Sequence, residues 1–402
     1  MPSNFYAILI SKYPESKCII SLFRLSFIGL IFGYFMGKKR FFDDRLKYLS
    51  FIQNTSEKKI ISNEIYPHIS KLSQNKSYLR ILDAGTGDGT IISNVIKSFH
   101  RYHPYTSLLI TGKEISYEDL KNTLEKMPDR FVEHPNLFVT MTNVKFSELG
   151  LIENSSKIKN KKIKEFNLVL KSNNSFEFNS QIAGSKLGNF IKKNWGIEID
   201  NKGRTSYSNP CLIRIYREDN KGHLEQFLRN DYKNNDYDLI IASQAYRAAS
   251  SVEVKVRNVI GPLMKLLNKS GKLLVTHSIG GPSIQKILKL AFKDKEAFPN
   301  TAKNILEYLK DNPVCENSLF RYVKPKNYAF DFKKTPDQTI SELFGHDSDA
   351  KLANILYVGQ IPEKDIQNLE SNKSLYNKVL KTIKSQRRLQ FKNEIFSISK
   401  IR

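Results

Sequence analysis

Ile81-Leu82-Asp83-Ala84-Gly85-Thr86-Gly87-Asp88-Gly89 is the stretch that decides the fold. The apolar run over 79–84 predicts a buried strand, and three glycines at alternate positions behind it predict a tight turn into a helix that starts near Thr90. Glycine permits the turn, and the turn aims backbone N–H groups at whatever lies before the helix N-terminus. Asp83, at the strand tip, can accept hydrogen bonds from the turn or from a ligand. The spacing G-x-G-x-G behind an acid differs from the G-x-G-x-x-G with which dinucleotide folds hold a pyrophosphate.

Downstream of the loop the chain alternates predicted helices over 90–99 and 117–126 with strands over 107–111 and 137–141, a βαβαβ rhythm that implies a parallel sheet. Glu114 falls at the end of the second strand. Upstream, 41–73 has helical spacing through Leu46, Leu49, Ile52, Ile60, Ile61 and Ile65, broken by the cap-like Asn54-Thr55-Ser56-Glu57. The rhythm stops over 155–235, a Lys-, Asn- and Ser-rich stretch with turn signals at Asn201-Lys202-Gly203 and Ser208-Asn209-Pro210, read as an insertion or lid. It resumes with a strand over 237–242, a helix over 252–267, a turn over 268–271 and a strand over 272–277. The tail adds helices over 283–292 and 301–309 and strands over 321–323, 328–332 and 390–398. Four regions result: an N-terminal apolar and basic segment (1–40), a ligand-binding half (41–154), the insertion (155–235) and a second half (236–402). Ligands of open parallel sheets sit beyond the strand C-termini, which puts Ser243 and Gln244 at a site.

The glycine loop, Glu114, the Asp238 strand and the Gly271 turn together resemble class I S-adenosylmethionine methyltransferases over about residues 45–150 and 235–280. A narrower likeness is to the histamine N-methyltransferase family. It is carried by Tyr48-Leu49-Ser50-Phe51 ahead of Asn54-Thr55-Ser56-Glu57, by Ser278-Ile279-Gly280-Gly281, by Phe298-Pro299 and by Phe391-Lys392-Asn393-Glu394-Ile395-Phe396-Ser397-Ile398. The resemblance implies an α/β, Rossmann-like class I methyltransferase sheet with flanking helices, an N-terminal helical preface and an inserted subdomain. It implies S-adenosyl-L-methionine as cofactor, held by Asp83, Gly85, Gly87, Gly89, Glu114, Asp119, Asn143 and Ser243, with Glu114 on the ribose hydroxyls. It implies a small-molecule methyl acceptor, an amine or imidazole, held by Glu57, Gln244 and Asn393. In-line methyl transfer asks mainly for exclusion of water and a neutral lone pair about 3 Å from the methyl carbon. No metal and no specific catalytic side chain is assigned.

The 402 residues carry 64 Lys and Arg against 40 Asp and Glu, a formal charge of +24. The basic residues are spread along the chain instead of concentrated in one arm, which disfavours nucleic acid as a partner but keeps an RNA or protein methyltransferase as the alternative. Cys18, Cys211 and Cys315 match no metal spacing and imply a reducing compartment. A cytoplasmic monomer is the expectation. Residues 18–36 are apolar apart from Ser21, Arg24 and Ser26 and precede Gly37-Lys38-Lys39-Arg40, as a membrane anchor with a basic flank would be. Arg24 opposes that by about 2.5–3.5 kcal/mol at mid-span, and translation from Met36 is the competing explanation. If the anchor is genuine, the catalytic domain is tethered at the cytosolic face, and a tethered cofactor-binding protein without turnover is a third reading.

Overall fold

The computed structural model describes residues 51–52, 55–152, 155–199, 205–223, 236–293, 295–316, 319–332, 347–386 and 389–401. The 18–36 segment and the start of the helical preface lie outside them, as does the predicted turn over 201–203. Among the described residues no helix is long and apolar enough to cross a membrane.

Successive residues of the central strand feed opposite faces of the sheet. Leu79 and Ile81 join one apolar cluster, Leu82 and Ala84 the other, so this strand is covered on both sides by helices. The strands are β1 (Tyr78–Ala84), β2 (Ser107–Lys113), β3 (Leu137–Thr142), β4 (Lys164–Leu170), β5 (Cys211–Arg217), β6 (Tyr237–Ser243), β7 (Leu267–Gly280), β8 (Phe320–Asp331) and β9 (Gln390–Lys400). They form one nine-stranded sheet in the order β8-β9-β7-β6-β1-β2-β3-β5-β4. The stretch β3-β2-β1-β6-β7 is parallel and doubly wound, with its switch point between β1 and β6. Where a dinucleotide fold would add a sixth parallel strand, β9 instead inserts antiparallel between β7 and β8. The parallel, Rossmann-like core is the sheet that the strand rhythm predicts, here extended at both edges by antiparallel pairing.

Three helices flank the switch point: α1 (Glu57–Ile69), α2 (Thr90–Tyr102) and α3 (Tyr117–Glu125). The stretch read as an insertion or lid extends the sheet. Its β5 pairs antiparallel with the edge of β3 and carries β4 beside it, while α4 (Ser175–Ile182) and α5 (Ser185–Asn194) close the apolar face. The physical reason is that Leu212, Ile213 and Ile215 are fully buried, a two-faced strand that needs a sheet to complete it. In the tail, the two short strands expected over 321–332 are one strand, β8, with a register shift between Val323 and Lys326.

Helices α6 (Pro282–Ala291) and α7 (Ala302–Asp311) agree with the expected spans. Over 347–385, where no element is expected, the chain forms α8 (Asp347–Val358), α9 (Glu363–Ser371) and α10 (Lys373–Ser385). Leu352, Ile355, Ile366, Leu369, Val379 and Ile383 bury a cluster with Phe51, Phe330 and Phe391, so this helical layer caps the strand end of the β8-β9 pair.

Candidate active site

The turn after β1 is built from backbone. Gly85, Gly87 and Gly89 have φ of +112°, +57° and +79°, the left-handed region where a side chain is strained. Gly89 is also sterically confined: a Cβ there would lie 2.6 Å from the Cα of Thr123 in α3. Thr86 N–H donates to the Lys113 carbonyl at 3.0 Å, and Gly87 N–H donates to a Glu114 carboxylate oxygen at 2.8 Å. The other Glu114 oxygen accepts from the N–H groups of Ile115 and Ser116, at 2.7 and 2.8 Å. Glu114 therefore holds the loop as well as facing the ligand side, a second job that the sequence reading does not anticipate.

Asp83 is buried, and neither carboxylate oxygen has a hydrogen-bond partner among the described residues. Burial pushes its pKa up to about 7, with Glu114 and Asp88 adding to the effect and Lys58 opposing it. A buried, unpartnered carboxylate is costly unless a cationic donor completes it. Ser243, at the end of β6, is also buried with a hydroxyl that has no partner among the described residues.

The second group of residues is assembled from side chains. Glu57 stands in the first turn of α1, and the chain just before it is fastened to β8: Ser56 N–H donates to the Asp331 carbonyl at 3.2 Å, and Thr55 bridges Phe332. One Glu57 oxygen accepts from the Gln244 side-chain amide at 3.0 Å and from the Asn393 side-chain amide at 2.9 Å. Gln244 is held in turn by its carbonyl oxygen, which accepts from Ser278 N–H at 3.2 Å, and its backbone sits at φ +53°, unusual for a residue with a side chain. Asn393 is fully buried in β9 opposite Ser278 of β7 and Tyr328 of β8, and it also donates to the Tyr328 hydroxyl at 3.3 Å. Three residues separated by up to 336 positions meet on one oxygen atom.

One cavity of about 340 Å³ joins the two groups. Its walls include Gly85, Gly87, Glu114, Asp119 and Ser243 from the loop side, and Glu57, Gln244 and Ser278 from the other. Asp119 is buried in α3, whose first turn is capped by the Ser116 hydroxyl accepting from the Asp119 N–H at 3.2 Å. Asn143 is elsewhere. Its amide donates to the Asn209 carbonyl at 2.9 Å and accepts from Cys211 N–H at 2.8 Å, so it clasps β3 to the start of β5 and does not line the cavity. Asn393 stands behind Glu57, outside the lining.

Residues to which the sequence reading gives no site role complete the walls: Phe51, Tyr246 and Tyr357, with Lys58 and Lys113. Phe51 and Tyr357 pack with ring centres 5.8 Å apart. Burial lowers the Lys113 pKa against the pull of Glu114 and Glu148, and its ammonium lies 5.0 Å from the centre of the Phe146 ring. A larger cavity of about 550 Å³, bordered by Val256, Arg257, Tyr308 and Val314, contains none of the expected site residues.

No family model and no curated protein matches the chain. Among solved structures it is similar to a phosphoethanolamine N-methyltransferase from Haemonchus contortus in complex with S-adenosyl-L-methionine, at 11% identity and a TM-score of 0.33, over 85% of this chain and 53% of that one. The chain thus spans about half the length of that protein. It is also similar to a geranyl diphosphate methyltransferase (7% identity, TM-score 0.34, 85% of this chain and 77% of that one). A mycolic acid cyclopropane synthase gives 11% identity and a TM-score of 0.32 over 84% of this chain and 88% of that one. Likenesses this distant assign no activity, and what the site can do follows from its own residues.

Proposed function

We propose that this chain is an S-adenosylmethionine-dependent methyltransferase whose acceptor is a small amine or an imidazole-type metabolite. The observation that carries the reading is the Glu57 carboxylate, gripped by Gln244 and Asn393 in the wall of the cavity that the glycine turn also lines.

The residues present fit the cofactor. Ser243 offers an unpartnered hydroxyl in the cavity wall, Gly85 and Gly87 let the backbone approach closely, and Asp83, with two unpartnered carboxylate oxygens, is buried behind the turn and outside the lining, where a ligand ammonium would reach it only if the turn opens. Glu114 and Asp119 would take the remaining polar groups. When bound, this cofactor supplies an electrophilic methyl group on a sulfonium.

On the acceptor side, Glu57 is an anion whose position two amides fix, so it can pair with a substrate ammonium in a charge-assisted hydrogen bond without first reorganising. Phe51, Tyr246 and Tyr357 line the same cavity, and aromatic walls of this kind suit a cation. Incubation with methyl-labelled S-adenosylmethionine against a panel of primary amines, imidazoles, thiols and RNA tests the reading. Label should pass to an amine or imidazole. Transfer confined to RNA, with affinity falling steeply with salt, would replace this reading by the nucleic-acid one.

A further inference from the structure

We infer that Tyr246, His277 and Glu394 form a proton relay that takes a proton from an ammonium acceptor so that its nitrogen can be methylated. The inference rests on the reading of the cavity as an amine methyltransferase site.

An alkyl ammonium has no lone pair with which to attack a sulfonium methyl. With a pKa near that of lysine, about 10.4, only about one molecule in 2,500 is neutral at pH 7. Glu57 makes this harder, since an anion that binds the ammonium also stabilises it in the charged form. A site that captures the cation therefore needs somewhere to send the proton.

The structure provides a path. The Tyr246 hydroxyl is 2.5 Å from Nδ1 of His277, and Nε2 of His277 is 3.2 Å from a Glu394 carboxylate oxygen. That same oxygen accepts from the Ala302 N–H at 2.6 Å. Hydrogen bonds from His277 and Ala302 N–H outweigh the burial that would raise the Glu394 pKa, and hold the carboxyl below its ordinary value and ionised. An ionised carboxylate only accepts, so Nε2 carries the hydrogen and Nδ1 is the acceptor for the tyrosine hydroxyl. His277 and Glu394 are buried, whereas Tyr246 lines the cavity two residues beyond Gln244. Burial keeps His277 neutral at rest despite the opposing pull of Glu394. Among the described residues, the further charged group facing the relay is Lys255, whose ammonium lies 5.3 Å from the Tyr246 ring centre and donates to the Ala248 carbonyl at 2.8 Å.

The step balances without a further reactant. One ammonium proton moves to the Tyr246 oxygen as the hydroxyl's own proton moves to Nδ1 of His277. The nitrogen keeps the electron pair of the broken N–H bond, and the imidazolium is neutralised by Glu394. After methylation and product release, the reverse shift returns the proton to solvent through Tyr246. In this scheme Tyr246 is the catalytic residue, and His277 and Glu394 position and charge it.

Tyr246→Phe tests the relay, because it keeps the ring and removes only the hydroxyl. With the panel amine that the wild type methylates fastest, kcat/KM should fall about 100-fold at pH 7, within the range of general acid–base catalysis. The deficit should close as pH approaches the amine's own pKa, while cofactor affinity stays within twofold. Glu394→Gln should show the same closing deficit. Without turnover, the 15N resonances of His277, assigned by their loss in His277→Gln, should report a neutral Nε2–H tautomer, the form that leaves Nδ1 free to accept from Tyr246; an Nδ1–H tautomer would remove the relay. A loss equal at every pH would mean that Tyr246 only shapes the wall, and an unchanged profile would remove the relay; either result leaves the methyltransferase reading standing. A wild type that methylates no amine overturns both.

Discussion

The two sides of the cavity are made in different ways. On the glycine-turn side, one contiguous stretch, 83–89, with Glu114 from the neighbouring strand, shapes the site largely with backbone. On the other side, Glu57, Gln244 and Asn393 come from α1, the end of β6 and β9, and the site is three side chains on one oxygen. Backbone recognition suits a ligand that is the same for every enzyme using it, whereas side-chain recognition can be changed residue by residue. The two sides should therefore fail separately.

The largest effect is expected at Gly89. Valine there would combine a strained φ with a Cβ 2.6 Å from the Thr123 backbone, which cannot move without shifting α3. Cofactor binding measured by calorimetry should vanish, and stability should fall by about 3 kcal/mol or more; near-normal affinity would show that the turn is not part of the site.

Asp83 comes next. Its folded pKa of about 7 lies above the ordinary 3.8, so its contribution to stability is full below about pH 4 and is lost as pH rises through 7. The disfavoured ionised form amounts to about 4 kcal/mol. Asp83→Asn should accordingly melt higher than the wild type at pH 8 and nearly alike at pH 4, and should bind the cofactor more weakly. Parallel melting curves across that range would take Asp83 out of this account.

Glu57→Gln probes the opposite side. We expect the acceptor KM to rise about 10- to 100-fold, the magnitude of one charge-assisted contact, with cofactor affinity unchanged; a matching loss of cofactor affinity would join the two sides into one. The smallest effect belongs to Asn143→Ala. Removing the clasp on β5 should lower stability by about 1 kcal/mol and leave cofactor binding alone. Weakened binding in that variant would return Asn143 to the cofactor side, where the family resemblance puts it.

The same contrast explains what is legible in the sequence. The central strands and the glycine turn are readable because period-two burial, glycine spacing and strand-end position are local signals. Gln244 is marked by its place beyond a strand end, whereas the site roles of Glu57 and Asn393 are reached only through resemblance. The joining of Tyr246, His277 and Glu394 is not legible at all, since their contacts span 31 and 117 positions and nothing in the spacing announces them. The cap over 347–385 did leave a trace in the helical spacing of Leu352, Ile355 and Leu356, but no chemistry-bearing motif draws attention to it. The stretch over 155–235 is read only as an insertion or lid because its Lys- and Asn-rich flanks surround the apolar strand Cys211–Arg217, whose pairing with β3 has no local signal.

The place of β9 has a consequence for how the molecule comes into being. Among the described strands β9 comes last in chain order, so it must slide between β7 and β8, whereas β1, β2 and the glycine turn come early. Until it does, Asn393 is missing from Glu57 and Glu394 from His277. A chain lacking only this strand would thus keep the glycine turn and Glu114 while leaving Glu57 with Gln244 alone. Threading of β9 is in that sense the moment at which the second side of the cavity acquires its final form.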